Sequence, residues 1–186
     1  MKATSKGEQT RNRIIECAAE LFLKNGYTAT GINDILSVLQ LPKGSFYYSF
    51  KSKKDLAIAV SNYYNEKTIK WILSHAEGKK WDDFVKSLIG EMIKAAEKER
   101  HFGCPFAVLG LEVSYTEPEI SSFYSKSMDN LINVFQNILQ FSGLKPEEAQ
   151  LSGQRAFAIY EGYLLYFRVC KDISVFKRMR RDLLEI

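Results

Sequence analysis

Apolar residues recur along almost the whole chain at the spacing of one face of an α-helix. The first such segment covers about residues 8 to 25 and is followed by Gly26, a residue type typical of helix C-caps. Its apolar stripe consists of Ile14, Ala18, Leu21 and Phe22. No segment shows the alternation of apolar and polar residues that indicates a β-strand. The pattern therefore predicts an all-α fold.

Two short helices separated by a break are predicted next. Thr30 is a suitable N-cap for a second helix, which ends before a break at residues 40 to 42. A third helix, with Pro42 in its first turn, runs from Lys43 to about Ser49. The segment KSKKDL then opens a long fourth helix, about residues 53 to 76, which contains no helix-breaking residue.

The rest of the chain predicts further helices separated by glycine and proline. A helix over about residues 81 to 99 and a short apolar helix precede two long helices, which start at Pro118 and Pro146. The apolar stripes of these two contain Tyr124, Met128, Leu131, Phe135 and Ile138 in the first, and Phe157, Tyr160, Leu164 and Phe167 in the second. In the second, Gly153 and Gly162 offer positions where another helix can approach closely.

The positive charge of the chain is concentrated at its front. Residues 1 to 56 contain nine Lys or Arg and five Asp or Glu, a net charge of +4, whereas the remainder contains 17 basic and 17 acidic residues. This division of charge favours binding of a polyanion by residues 1 to 56, although a solvated basic surface would have the same composition. The two short helices and their break are typical of a helix-turn-helix, whose second helix enters the major groove of DNA.

Several motifs between Leu23 and Ala57 occur together in one known family. The segment reads LKNGYTATGINDILSVLQLPKGSFYYSFKSKKDLA and contains GY, T-x-x-x-x-I, K-G-S-F-Y-Y-S-F and K-x-K-x-x-L. It resembles the N-terminal domain of the TetR (tetracycline-repressor-like) family, and the likeness covers about residues 8 to 60. Two positions depart from that family. Gln40 replaces a common turn glycine, which costs about 1 kcal/mol if its φ is positive, and Ser49 replaces a common histidine.

The resemblance implies that the third helix lies in the major groove and that residues around it contact DNA. Base edges would be contacted by Asn33, Lys43, Ser45 and Tyr48, and phosphates by Thr30, Tyr47 and Lys53. Gly44 has a physical reason of its own, because a residue without a Cβ lets the helix lie close to DNA; a packing need within the protein is the alternative. We expect Phe46 and Phe50 to be core residues and one of the two tyrosines to be largely structural.

The resemblance also implies a helical body that binds a small molecule and forms a homodimer. The two long helices would meet their symmetry copies, with part of each stripe in the chain's own core; a dimer also doubles the contacts of a short helix on a palindromic site. The segment FGCPFAVLGLEVS, which begins at Phe102, resembles the LmrA/YxaF branch of the family. Candidate ligand-binding residues, for which plain core packing is the alternative, are Cys104, Phe106, Glu112, Tyr115, Phe123, Tyr160, Tyr163 and Phe167. Glu161 is a second candidate for a polar anchor.

The sequence predicts no enzyme, no cofactor and no metal site. It contains no Walker-type loop, G-x-S-x-G or HExxH motif, and His101 with Cys104 is only half of a metal site. The chain lacks an apolar segment of about 18 residues, so we expect no membrane contact. Three widely spaced cysteines and no secretion signal favour the cytoplasm. The basic run at residues 177 to 181 is interpreted as a solvated helix face.

We therefore expect a DNA-binding domain over residues 1–56 and a ligand-sensing and dimerisation domain over residues 57–186. The predicted function is a one-component transcriptional regulator, a repressor that a small apolar or amphipathic ligand releases from double-stranded operator DNA. The long fourth helix would transmit the change. One alternative is a small-molecule-binding helical protein without sequence-specific DNA recognition, and another is a non-specific architectural DNA-binding protein.

Overall fold

The computed structural model describes residues 5 to 100 and 103 to 186 of the chain. Every regular element in those two ranges is an α-helix, which confirms the predicted all-α class. The helices are α1 Lys6–Asn25, α2 Ile32–Leu39, α3 Lys43–Ser49, α4 Lys53–Ala76, α5 Trp81–Glu97, α6 Pro105–Val113, α7 Pro118–Phe141, α8 Pro146–Cys170 and α9 Ser174–Leu184. None of these helices is long and apolar enough to cross a bilayer.

Helix α1 is capped at both ends by residues next to it in the sequence. The Ser5 hydroxyl accepts the Glu8 N–H at 3.2 Å, and the Glu8 carboxylate accepts the Ser5 N–H at 3.0 Å. At the other end Gly26 adopts a φ of 96°, and its N–H donates to the Phe22 carbonyl at 2.9 Å. The predicted C-cap at Gly26 is confirmed.

Two predicted helix starts are wrong by one residue. Gly31, rather than Thr30, is the N-cap of α2, because the Asp34 carboxylate accepts the Gly31 N–H at 2.6 Å and so fixes the start there. Pro42 is the N-cap of α3 and not part of its first turn. In the turn between α2 and α3, Gln40 has a left-handed backbone with a φ of 53°. The unfavourable conformation considered for Gln40 is therefore present.

One continuous apolar core connects the N-terminal helices with the body, the name used below for residues 57–186. Phe46 of α3 is fully buried in the part of this core that the N-terminal helices form. In the body, the rings of Trp81, Phe84 and Phe135 pack with centroid distances of 5.5 to 6.0 Å. The Trp81 indole N–H donates to the Leu183 carbonyl at 2.7 Å and joins α5 to α9. Because α4 passes from the front into the body, it links the two parts through one helix.

The apolar stripes of α7 and α8 pack into the chain's own core. Their buried members, each at most 6% exposed, are Tyr124, Leu131, Phe135, Ile138, Tyr160, Leu164 and Phe167. Met128 and Phe157 are half-buried against the same core. The buried members of each stripe are therefore part of the chain's own core, and the contact of α7 and α8 with a second copy stays a prediction. The alternative, an intramolecular core, is confirmed.

Helices α7 and α8 approach closely at Gly153. A Cβ at this position would lie 2.4 Å from Gln136 Cγ and 3.1 Å from the Gln136 backbone nitrogen. Only glycine fits such a contact, so the predicted close approach at Gly153 is confirmed. At Gly162 a Cβ would meet no other part of the described chain within 4 Å, and this residue lies on the exposed side of α8.

Candidate nucleic-acid interface

Helix α3 is anchored by phenylalanines and presents its other side chains outward. Phe46 and Phe50 are at most 1% exposed, whereas Tyr47 and Tyr48 are 61% and 83% exposed. The core assignment of both phenylalanines is confirmed. The expectation that one tyrosine is largely structural is wrong, because so short a helix turns only one side toward the core. Both phenol groups are therefore accessible to a partner.

An open depression between α2, α3 and the start of α4 collects four of the predicted DNA contacts. It is lined by Gly31, Ile32, Asn33, Asp34, Lys43, Tyr47 and Lys53. Asn33 thus shares a surface with Lys43 and Tyr47, although it lies on a different helix. The one carboxylate in this lining, that of Asp34, is hydrogen-bonded to the Gly31 N–H. Two lysines beside polar and aromatic side chains suit contact with a phosphate-bearing molecule.

The opposite flank of α3 adjoins the beginning of α1. No residue of α1 is among the DNA contacts predicted from the sequence. This shallow surface is lined by Lys6, Gly7, Thr10, Pro42, Gly44, Ser45 and Tyr48. A Cβ at Gly7 would lie 3.3 Å from the Tyr48 ring, so the first turn of α1 lies directly beside that tyrosine. No motif marks these α1 residues, and only the basic, polar composition of the N-terminus signals them. The predicted contacts Ser45 and Tyr48 lie on this flank.

Gly44 lies in open surroundings in the first turn of α3. A Cβ at Gly44 would have nothing within 4 Å. Packing within the described part of the chain therefore does not require glycine at this position, and the alternative interpretation as a packing residue is wrong. The remaining physical reason is the close approach of an external molecule.

Lys53 is held beside the loop that joins α1 to α2. Its ammonium group donates to the Thr28 carbonyl at 3.3 Å and lies 4.3 Å from the centre of the Tyr27 ring. Burial lowers the pKa of Lys53, while the nearby Glu112 and Asp34 carboxylates act in the opposite direction. The lysine predicted as a phosphate anchor is thus prepositioned by the loop between α1 and α2.

Thr30 is not placed for the predicted phosphate contact. Its side chain is buried, and its hydroxyl donates to the Gly26 carbonyl at 2.7 Å. The hydroxyl therefore stabilises the loop from inside the protein. The predicted roles of Thr30 as N-cap and phosphate ligand are both corrected to this structural one.

The residues predicted to line a ligand cavity do not share one environment. Phe106, Tyr160 and Phe167 are core residues, at most 4% exposed. Phe123 and Tyr163 are half-buried, and the Tyr163 hydroxyl donates to the Asp182 carboxylate of α9. Tyr115 is 96% exposed, because it lies two residues beyond the end of α6 in the turn before α7. Its assignment to a cavity is therefore wrong.

Glu112, the predicted polar anchor for a ligand, is already engaged by the protein. Its two carboxylate oxygens accept the backbone N–H groups of Tyr27 and Thr28 at 2.8 and 2.7 Å. Both bonds cross from α6 to the loop between α1 and α2. In this structure Glu112 connects the body to the N-terminal helices and does not point at a ligand cavity.

Glu161 of α8 carries a buried carboxylate next to Cys104. Neither of its oxygens accepts a hydrogen bond from an N–H or O–H group of the described chain. The Cys104 thiol, a weak donor, lies beside it. Burial raises the pKa of Glu161 to about 7, and burial together with Glu161 raises the pKa of Cys104. His101, the other half of the predicted metal pair, lies outside the described residues, and no three potential metal ligands cluster within 5–100 and 103–186.

Family models match both parts of the chain. The model described as bacterial regulatory proteins, tetR family, matches residues 14–60. The model described as the C-terminal domain of LmrA/YxaF-like transcriptional regulators matches residues 83–182, more than half of the chain. These matches cover the helix-turn-helix and most of the body.

Individual relatives agree with these families. The chain is 28% identical to an uncharacterized HTH-type transcriptional regulator in the lacX 3' region of Lactococcus lactis, over 89% of this chain and 87% of the relative. It is 27% identical to the HTH-type transcriptional regulator LmrA of Bacillus subtilis, over 88% of each chain. It is also 39% identical to QacR of Staphylococcus aureus, over 70% of this chain and 62% of QacR.

Solved structures share the same fold. A TetR-family transcriptional regulator from Agrobacterium tumefaciens superimposes with a TM-score of 0.84, covering 97% of this chain and 98% of that one at 20% identity. A regulator from Cytophaga hutchinsonii also gives a TM-score of 0.84, covering 100% of this chain and 98% of that one at 22% identity. With a helix-turn-helix at the front and an LmrA/YxaF-like body behind it, the chain belongs to the TetR family of transcriptional regulators.

Proposed function

We propose that this regulator is a cytoplasmic repressor, which occupies a palindromic operator and is released from it by a small apolar or amphipathic ligand. Residues 1–56 would bind DNA and residues 57–186 would bind the ligand and a second copy. The observation that carries the proposal is the surface of α3, where Lys43, Tyr47 and Tyr48 are exposed on a helix anchored by two buried phenylalanines. Bases would be contacted by Asn33, Lys43, Ser45 and Tyr48, at a close approach that Gly44 permits, and phosphates by Tyr47 and Lys53.

Dimerisation is supported by an apolar face of α8 that the chain leaves exposed. Leu151, Leu165 and Val169 are 70%, 47% and 78% exposed, and Ala158 and Gly162 lie between them on the same side of the helix. Their spacings of 7, 4, 3 and 4 residues match the seam of a helix pair. We assign this face, and not the buried stripes, to contact with the second copy. Such a dimer would hold two α3 helices about 34–36 Å apart, one turn of DNA.

Ligand release would follow from linkage. A ligand that binds the body better in a DNA-incompetent arrangement shifts the dimer toward that arrangement. Phe106, Tyr160 and Phe167 would form part of an apolar wall, with the buried Glu161 carboxylate as a polar group facing it. Opening of the core at this point would expose both features to the ligand.

The proposal is tested by titrating fluorescent DNA from the protein's own upstream region with the purified protein at two salt concentrations, with random DNA as competitor. We expect the protein to bind upstream DNA about 10³-fold or more tightly than random DNA. Two chains should bind each palindromic operator, one on each half-site. Lys43→Ala combined with Tyr48→Ala should abolish the preference, whereas Lys126→Ala combined with Tyr115→Ala, equally exposed but on the body, should not.

Binding that ignores sequence and disappears with salt would contradict the proposal and indicate a non-specific DNA-binding protein. Absence of DNA binding at both salt concentrations would indicate a ligand-binding protein whose front is merely basic. The double variant must keep the wild-type circular dichroism spectrum and melting temperature, because only then does lost binding report on the interface.

A further inference from the structure

The loop between α1 and α2 is bonded to the body through a single carboxylate. Glu112 of α6 accepts the Tyr27 N–H with one oxygen and the Thr28 N–H with the other, at 2.8 and 2.7 Å. Hydrogen bonds to an ionised acceptor are among the strongest that a backbone N–H makes. The partners are 85 and 84 residues apart in the sequence, so this contact joins two distant parts of the fold.

The loop is shaped to receive this carboxylate. Gly26 precedes the two donors, and a Cβ at Gly26 would lie 3.2 Å from each Glu112 oxygen. The positive φ of Gly26 already disfavours other residues. Gly26 therefore both ends α1 and leaves room for Glu112.

The same two loop residues also hold a lysine of the DNA-binding surface. Lys53 donates to the Thr28 carbonyl and lies against the Tyr27 ring, and it lines the depression that contains Asn33 and Lys43. The Tyr27–Thr28 segment thus donates its two N–H groups to Glu112 of the body. Its Thr28 carbonyl and its Tyr27 ring contact Lys53. Through this segment, α6 and Lys53 are joined by a continuous chain of contacts.

We propose that Glu112 is a positioning residue for DNA binding, which fixes the Tyr27–Thr28 segment and Lys53 and so couples the position of α6 to the DNA-binding surface. This inference rests on the proposed function. Both Glu112 oxygens accept N–H groups of the loop, so the proposed role acts through the loop. Its role is to make the N-terminal domain follow the body.

Other contacts between the two parts remain when Glu112 is changed. Arg168 of α8 donates to the Leu23 carbonyl at 3.0 Å, and Lys54 of α4 pairs with Glu119 at 2.6 Å. A Glu112 variant therefore loses the hold on one loop and keeps its fold. This separation makes the positioning role testable apart from stability.

The test compares Glu112→Gln with Glu91→Gln in the full-length protein. The glutamine keeps the shape of Glu112 but has one acceptor oxygen, and its amide group faces a second N–H that it cannot satisfy. Glu91→Gln is the matched control, since the Glu91 carboxylate forms its ion pair with the exposed Lys94 on the same helix. Amide exchange at Tyr27 and Thr28, affinity for upstream DNA and a spin-label distance are measured for each. The labels are placed at Ser37→Cys and Ser125→Cys in a Cys170→Ser background and report the orientation of α2 relative to α7.

In Glu112→Gln we expect amide exchange at Tyr27 and Thr28 to rise about tenfold or more, the label distance distribution to broaden, and specific DNA affinity to fall about fivefold or more. The control should match the wild type. Unchanged exchange would overturn the inference, and so would faster exchange with wild-type DNA affinity and label distances. If the wild type shows no sequence preference for DNA, the proposed function fails; the label distances then decide whether Glu112 positions the domain.

Discussion

The buried carboxylate of Glu161 makes the stability of this protein depend on pH in an unusual direction. Its pKa is about 7 in the folded chain, against an ordinary 4.5. Between these values the unfolded chain loses the proton while the folded chain keeps it. Rising pH therefore favours unfolding, and the loss of stability begins near pH 4.5 and is complete near pH 7.

The size of this effect follows from the shift. Each pKa unit corresponds to about 1.4 kcal/mol, so the penalty reaches roughly 3 kcal/mol at pH 7 and stays constant above it. Glu161→Gln removes the ionisation and keeps the shape of the protonated acid. We expect the free energy of unfolding of the variant, relative to the wild type, to rise by roughly 3 kcal/mol from pH 4.5 to pH 7. Any cost of burying the amide adds an offset that does not depend on pH.

The assay is urea unfolding followed by circular dichroism at pH 5, 6, 7 and 8, at one protein concentration because a dimer's stability depends on concentration. Glu66→Gln, an exposed glutamate of α4, is the control. A difference between Glu161→Gln and the wild type that stays constant from pH 5 to pH 8 would refute the reasoning, as would an equal trend in the control. A difference that grows up to pH 7 and then levels off would place the titrating group at Glu161.

Three further predictions address the surface and the turn. Gly44→Ala should raise the free energy of unfolding by up to about 1 kcal/mol, because alanine favours a helix, and should lower the affinity for specific DNA. Thermal melting measures the first effect and fluorescence anisotropy the second. An unchanged DNA affinity would mean that DNA does not approach this residue closely. Val169→Asp should convert the dimer to a folded monomer in sedimentation, whereas Ser125→Asp, exposed on α7, should leave the dimer intact; a dimer in both would place the contact elsewhere. Gln40→Gly should stabilise the fold by about 1 kcal/mol, because Gln40 has a positive φ, and a lower unfolding midpoint would show that the glutamine side chain compensates for its backbone.

Local chemistry made most helix boundaries predictable from the sequence. Gly26 ends α1, Pro118 and Pro146 begin α7 and α8, and α3 ends at Ser49 as predicted. Each of these signals acts within one turn of the residue concerned. The error at Thr30 has a local cause as well, since the Asp34 carboxylate selects the Gly31 N–H and the hydroxyl of Thr30 is used inside the loop.

Contacts between distant residues could not be predicted in the same way. A helical period shows that one face of α7 or α8 is buried, but it does not say whether the same chain or a second copy covers that face. The role of Glu112 depends on a loop 85 residues away, and nothing in the residues around Glu112 indicates that loop. Tyr115 belongs to an aromatic set by composition, yet the end of α6 leaves its side chain in solvent.

The close contact at Gly153 also limits how this sequence can diverge. A side chain at Gly153 would overlap Gln136 Cγ and press on the Gln136 backbone, so a shorter residue at position 136 relieves only the first of these contacts. Replacement of Gly153 then requires α7 and α8 to move apart, and the buried rings between them to be exchanged for larger ones. We therefore expect homologues either to keep glycine here or to change this position together with position 136 and its buried neighbours.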